Sequence, residues 1–333
     1  MRRRSFLSAV ALNLTAAGIS LMAQSAKGAD RPQRVVRLGF VSPASPSTAP
    51  RGVDAFWGRL RELGYVEGQN FVVEARWAEG RSDRLPALMA EVVRRNVDVI
   101  VTYSTAGAIA AKNATNALPI VAAIMGDPVG TGLALSLARP GGNLTGLSAG
   151  YAEGMAGKWL ELLHETVPRL STVALIENPD NPWHRSNARE LQSTAPTRHL
   201  KLLVIDVRSP EELDRAFDQA RHGAQAVVVL SDPFILANKQ RVISLAAKHR
   251  LPVIYNLRDF VDAGGLIAYA PDFTVMFRRA ADYVDTILKG ARPGDLPIEE
   301  PTHYVLVVNL NTAKVLGIMI PQSILLRADE VIR

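Results

Sequence analysis

"VDVIVTYS", residues 97–104, and "AQAVVVLS", residues 224–231, are two apolar runs of equal length that both end on serine. A short run of β-branched residues without polar alternation reads as a strand buried on both faces, the condition of a parallel strand. Each run holds the same place in a longer pattern. The first pattern includes "VVRLGFVSP" (35–43), "NFVVEARWAEG" (70–80), the helical "RLPALMAEVVRRN" (84–96) and "LPIVAAIMGDP" (118–128). The second includes "STVALIENP" (171–179), the helical "HRSNARELQST" (184–194), "HLKLLVIDVRSP" (199–210), the helical "EELDRAFDQARHG" (211–223) and "LPVIYN" (251–256). Both passes read strand, helix, strand, helix, strand, helix, strand. Pro43 answers to Pro179, Ser104 to Ser231 and Pro119 to Pro252 at nearly constant separation. Strands alternating with helices require right-handed crossovers and a sheet covered on both faces. The repeat therefore predicts an α/β protein of two doubly wound parallel-sheet lobes.

The connecting segments set the lobe boundaries. "GTGLALSLARPGGNLTGLSAG" (130–150) and "FVDAGGLIAYAPDF" (260–273) are glycine-rich and read as crossings between lobes. "TVMFRRAADYVDTILKG" (274–290) reads as a helix returning to the first lobe, after which the chain crosses a third time. The expected division is residues 34–146 with 270–298 in lobe one, and 147–269 with 299–333 in lobe two.

Composition limits the function. The chain has 333 residues, 48% of them hydrophobic and 21% charged, so it is globular with ample buried surface. Its net charge of +6 owes four charges to Arg2, Arg3, Arg4 and Lys27, leaving +2 for the remainder, and no basic run suggests nucleic acid. "MRRRSFLS" followed by the apolar stretch Ala9–Ala23 and the small residues of "AQSAKGAD" reads as a signal peptide over residues 1–29. Arg3-Arg4-Ser5-Phe6-Leu7 resembles the twin-arginine export pattern without its flanking residues. With no cysteine there is neither a lipid attachment point nor a thiolate metal site, so the expected product is a soluble periplasmic protein.

No motif makes a convincing enzyme. Gly146-Leu147-Ser148-Ala149-Gly150 matches the G-x-S-x-G nucleophile elbow, with Asp232 and His303 following in hydrolase order. Yet "RPGGN" stands where the elbow needs a strong buried strand, so a serine hydrolase is the lesser alternative. Gly157-Lys158 is no phosphate loop, and His164-Glu165 lacks a second histidine at metalloprotease spacing. Neither a metal nor a cofactor is expected.

The strand ends remain, and in open α/β sheets these are where ligands bind. Lobe one offers Ser42, Ala44, Trp77, Ser104, Thr105 and Asp127; lobe two offers Asn178, Ser231, Asp232 and Tyr255; Tyr269 lies on the return crossing. Hydroxyls and backbone N–H groups at Ser104 suit a carboxylate, Asp127 or Asp232 suits an ammonium, and the aromatic residues suit an apolar body. That describes a pocket for a small zwitterion.

Five longer stretches are specific: residues 64–101 ("GYVEGQNFVVEARWAEGRSDRLPALMAEVVRRNVDVIV"), "MGDPVGTGLALSLARPGGNLTG" (125–146), "ELLHETVP" (161–168), "FVDAGGLIAYAPDF" (260–273) and residues 288–318 ("LKGARPGDLPIEEPTHYVLVVNLNTAKVLGI"). The chain resembles the ABC transporter substrate-binding protein family that includes tryptophan-type amino-acid binders. The resemblance implies a type I periplasmic binding fold, capture of a small-molecule ligand between the lobes by hinge closure, and delivery to an ABC permease in the inner membrane. It also implies that the Ser104 loop and Gly126-Asp127-Pro128 line the cleft. A monomer is expected, and a sensor for a membrane receptor would share all these features.

Overall fold

A computed structural model describes residues 35–149 and 154–333. The expected signal peptide lies outside the described residues.

The first lobe is built from β1 (Val36–Ser42), α1 (Gly52–Glu62), β2 (Phe71–Trp77), α2 (Leu85–Val93), β3 (Val99–Thr102), α3 (Thr105–Ala114), β4 (Ile120–Met125) and β5 (Leu144–Ser148). The second begins with α4 (Met155–Thr166), β6 (Thr172–Glu177), α5 (Pro182–Thr194), β7 (Lys201–Asp206), α6 (Leu213–Gly223) and β8 (Ala226–Val229). It continues through α7 (Pro233–Ala237), α8 (Lys239–Lys248), β9 (Val253–Tyr255), α9 (Asp259–Asp262) and β10 (Ile267–Pro271). Then α10 (Phe273–Leu288) returns to the first lobe. The chain ends in the second with β11 (Tyr304–Asn309), α11 (Leu310–Leu316), α12 (Gln322–Arg327) and β12 (Glu330–Ile332).

The two sheets run β2-β1-β3-β4-β5 and β12-β11-β10-β9-β8-β6-β7. All pairings are parallel except β10 with β11. The five-stranded sheet has α1 and α10 on one face, around Phe40, Phe56 and Phe277, and α2 and α3 on the other. The seven-stranded sheet has α4, α5, α11 and α12 on one face and α6 to α9 on the other. Strands buried on both faces explain the unbroken runs: all four residues of β3 and of β8 are buried.

Two crossings follow β5 and β10, and the third runs between α10 and β11 through residues 297–300. Each glycine-rich connector also carries a strand, β5 in the first and β10 in the second, which composition had concealed. Two crossings are laced together: Ser148 N–H donates to Glu299 O at 2.9 Å and Glu299 N–H to Gly146 O at 3.2 Å. Arg279 of α10 holds the Glu299 carboxylate with bonds of 2.7 and 2.9 Å from two of its nitrogens.

This lacing disposes of the nucleophile elbow. Ser148 is 2% exposed at the end of a strand, with its N–H bound across the crossing, instead of standing out on a strand-to-helix turn. The motif's last glycine, Gly150, lies outside the described residues. Gly146 has a backbone reason to be glycine. Its φ is +138°, and a Cβ there would lie 2.0 Å from Ala122 O. Gly146→Ala is expected to destabilise the protein by about 2 kcal/mol or more, read as a lower midpoint in urea unfolding.

Candidate functional site

A cavity of about 120 Å³ opens between the strand ends of the two sheets. A single water needs roughly 10–15 Å³, so the space suits a small molecule. Lobe one supplies Ala44 and Pro50 after β1, Tyr103, Ser104 and Thr105 after β3, Met125 and Gly126 at β4, and Ala149 after β5. Lobe two supplies Asn181 and Trp183 after β6, Ser231, Asp232, Pro233 and Leu236 after β8, and Asn256 and Leu257 after β9. Phe273, at the start of α10, closes the lining. Among the described residues that line it, Asp232 is the one that is formally charged.

Each loop turns a buried strand into a helix, and side chains take up the backbone groups exposed at the turn. Ser104 caps α3, accepting from Gly107 N–H at 3.1 Å. Its backbone sits at φ 69°, ψ 154°, a conformation that costs a non-glycine residue about 1–3 kcal/mol and gathers at ligand sites. Thr105 Oγ1 accepts from Gly126 N–H at 2.9 Å and ties the β3 loop to the β4 loop. Since both oxygens accept, the hydroxyl hydrogens of Ser104 and Thr105 remain donors beside the first N–H of α3.

In lobe two, Asn181 caps α5 through Trp183 N–H at 3.1 Å with Pro182 at the first helical position. Asp232 caps α7 in the same way, with Pro233 behind it and bonds of 3.1 Å from Phe234 and Ile235 N–H. Asn178 Nδ2 donates to the other Asp232 oxygen at 2.6 Å. Burial drives the Asp232 pKa up to about 6 against these donors. Ser231 N–H is held by Asn256 Oδ1 at 2.7 Å, joining the β8 and β9 ends.

His184 stands behind this floor, fully buried. Its Nδ1 accepts from Asn178 N–H at 2.9 Å and its Nε2 faces Ser231 O at 3.3 Å, so the ring is the neutral Nε2–H tautomer bridging two cavity loops. Burial lowers its pKa to about 3.

Of the residues singled out in the sequence, the cavity gathers Ala44, Ser104, Thr105, Ser231 and Asp232. Ser42 lies behind the wall, bonded to Tyr103 Oη at 2.8 Å and to Ala44 N–H at 3.1 Å. Asn178 also stands back, buttressing Asp232. Trp77 packs edge-on against Phe40 in the first core, with ring centroids 5.6 Å apart. Tyr255 stacks on Phe260 at 4.7 Å under α8 and α9, because alternate residues of β9 face opposite ways and Asn256 takes the cavity side. Tyr269 stacks on Tyr304 at 5.7 Å, and its carbonyl receives Trp159 Nε1 at 2.9 Å.

Asp127 turns back on its own loop, accepting from Gly130 N–H at 2.8 Å. It lines a second cavity of about 340 Å³ with Ser148, Asn187 and Glu190. Several lining residues carry no signal in the sequence analysis, among them Pro50, Met125, Leu236, Leu257 and Phe273; Trp183 is another, since the helix expected there starts at His184. Asn181-Pro182, a cap followed by a first-turn proline, marked the true start one residue before the tryptophan.

Two doubly wound lobes, three crossings and a cavity at the facing strand ends define a two-lobed ligand-binding protein of the type I periplasmic binding fold. The chain belongs to the ABC transporter substrate binding protein family, whose model matches residues 40–332. It is 25% identical over 257 residues to a tyrosine-binding protein of Clostridioides difficile (strain R20291), across 77% of this chain and 74% of that one. A solved ABC domain from Streptococcus pneumonia in complex with L-Trp superposes with a TM-score of 0.82 at 25% identity, over 89% of this chain and 99% of that one. A conserved domain protein from Vibrio cholerae superposes at 0.84 with 26% identity, over 90% and 100%. The family is one of solute binding and not of catalysis.

The buried histidine has a pH signature. Its folded pKa lies below the roughly 6.5 of an unfolded chain, so its contribution is complete above that value and is lost as pH falls toward about 3. Glu177, 4% exposed, has the opposite sign: burial first and Asp206 second raise its pKa to about 7, so its contribution fades as pH rises through that value. His184→Gln is expected to lose less stability than the parent between pH 6.5 and 4.5, and Glu177→Gln less between pH 5 and 8, both followed by urea titration.

Proposed function

We propose that this protein is the substrate-binding component of an ABC importer. It captures an amino acid with an apolar, preferably aromatic, side chain and hands it to an inner-membrane permease. The observation that carries the reading is the polarity of the 120 Å³ cavity, which joins hydroxyl and helix-start donors at Ser104 and Thr105 to a single carboxylate at Asp232 amid apolar walls. A carboxylate on the ligand is met by the α3 donors without a cationic side chain. An ammonium is met by Asp232, and Met125, Leu236, Leu257, Phe273 and Trp183 surround the remainder. The tyrosine and tryptophan named for two relatives have this chemistry.

Export by the signal peptide places the protein in the periplasm as a soluble monomer. The division expected above, residues 34–146 with 270–298 in lobe one and 147–269 with 299–333 in lobe two, then puts its first two boundaries inside the crossing strands β5 and β10. Closure about the three crossings traps the ligand, since only the closed form lets it touch both lobes. Arg51 Nη1 to Asp262 Oδ2, at 2.6 Å, is an ion pair between the lobes that closure would favour.

Thermal-shift screening tests the reading. L-tryptophan, L-tyrosine or L-phenylalanine at millimolar concentration is expected to raise the Tm by several degrees, and ribose to leave it unchanged. No response to any amino acid would sink the assignment. A second expectation concerns pH. Affinity for an amino acid should fall as pH drops through about 6, where Asp232 takes a proton and ceases to attract an ammonium. Asp232→Asn keeps the cap but should weaken binding about tenfold or more at pH 7.5 and abolish that dependence, as read by calorimetry.

A further inference from the structure

Trp183 belongs to two environments at once. It lines the ligand cavity from lobe two, 9% exposed, and its ring lies against the backbone of Gly126 in lobe one. A Cβ on Gly126 would come within 2.2 Å of Trp183 Cδ1, 2.6 Å of Cγ and 2.8 Å of Cβ, all closer than van der Waals contact permits. The backbone of Gly126 is not in the left-handed region, so any residue could adopt it. The three atoms nearest to such a Cβ all belong to Trp183, which faces the position across the cleft. At Gly80, another point where the lobes approach, the nearest atoms of Ala237 and Phe234 would lie 3.7 Å from an added Cβ, which is ordinary contact.

The ring has little freedom to retreat. It packs into the core of lobe two, near His184 at 5.2 Å, and the residue's backbone N–H, donated to the Asn181 cap, fixes where the ring is mounted. Gly126 is held from its own side by Thr105 Oγ1. Each partner is therefore fixed to its lobe, and the gap between them closes only when the lobes close.

We infer that the Trp183–Gly126 contact couples ligand occupancy to lobe closure: Trp183 is a positioning residue of the binding site, and glycine at 126 is the condition for the lobes to shut. A ligand that packs against the ring biases it toward the place it occupies against Gly126. The coupling with ligand rests on the binding function proposed above, whereas the steric condition on closure does not.

Gly126→Ala is the test. Its backbone is permitted and the clash exists only in the closed state, so the unliganded Tm should stay within about a degree of the parent. Affinity for L-tryptophan or L-tyrosine should drop about tenfold or more, chiefly through faster dissociation. In a Trp183→Ala background the same substitution should cost at most about threefold, since the two nearest atoms, Cδ1 and Cγ, are gone and only Cβ remains close. Equal losses in both backgrounds, or no loss in the parent background, overturn the inference. Closure itself is read without ligand. The chain has no cysteine, so Ser47→Cys and Gln240→Cys, on exposed positions of opposite lobes, take spin labels for pulsed distance measurement. Gly126→Ala should lose the shorter-distance population of the parent. An unchanged distance distribution overturns the inference. Failure of the parent to bind an aromatic amino acid counts against the ligand assignment alone.

Discussion

A parallel strand that ends inside a protein must give its last backbone groups to some partner, and here the partners are side chains of the loops themselves. Ser104, Asn181, Asp232 and Asp272 each cap the helix that follows, and Thr105, Asn178 and Asn256 tie neighbouring strand ends together. The cavity takes its shape and polarity from this arrangement. Three of its polar groups, Ser104, Asn181 and Asp232, are caps, and Trp183, Pro233 and Phe273 in its walls are first-turn residues that the caps position. Without the caps, the helix starts would need water, and a cleft that must shed water to hold an apolar body would lose its selectivity.

The caps need support of their own, and the support explains several buried polar groups. His184 is kept neutral so that one nitrogen can accept and the other donate, joining the Asn178 loop to the Ser231 loop. Tyr103 donates to or accepts from Ser42 behind the β1 loop, and burial raises its pKa. On the hinge side, Arg279 and Glu299 fix the third crossing to α10, while the backbone pairing of Ser148 and Glu299 fixes the first to the third. The crossings are thereby tied to one another and to α10 by hydrogen bonds and an ion pair.

Much of this was legible beforehand. Doubling of the strand–helix order was visible in the runs at 97–104 and 224–231, and burial on both faces accounts for their lack of alternation. Ser104 and Asp232 were identifiable because cap residues at strand ends have a local signature. The errors arose where local signature and spatial role part company. Asp127-Pro128 and Asp232-Pro233 look alike, yet Asp232 caps a helix and faces the cavity while Asp127 closes a turn onto Gly130. Tyr255 and Tyr269 have the aromatic chemistry of a pocket but stack inside lobe two, since the facing of a residue at a strand end depends on the sheet's register and not on its own identity. β5 and β10 were hidden because glycine masks strand propensity, although Gly146 is the residue that lets β5 lie close to β4.

The sequence by itself determined the architecture and the binding character of this protein: periodic apolar runs dictate buried parallel strands, their repetition dictates two lobes, and caps at their ends place polar groups in the cleft. Only the tertiary structure decided which of those groups meet. Trp183 against Gly126, Asn178 on Asp232 and Arg51 on Asp262 are contacts between segments far apart in the chain. They are fixed by how one packed lobe approaches another, or by how one strand end lies beside the next. Local preference has no term for such distances, because packing of whole elements sets them.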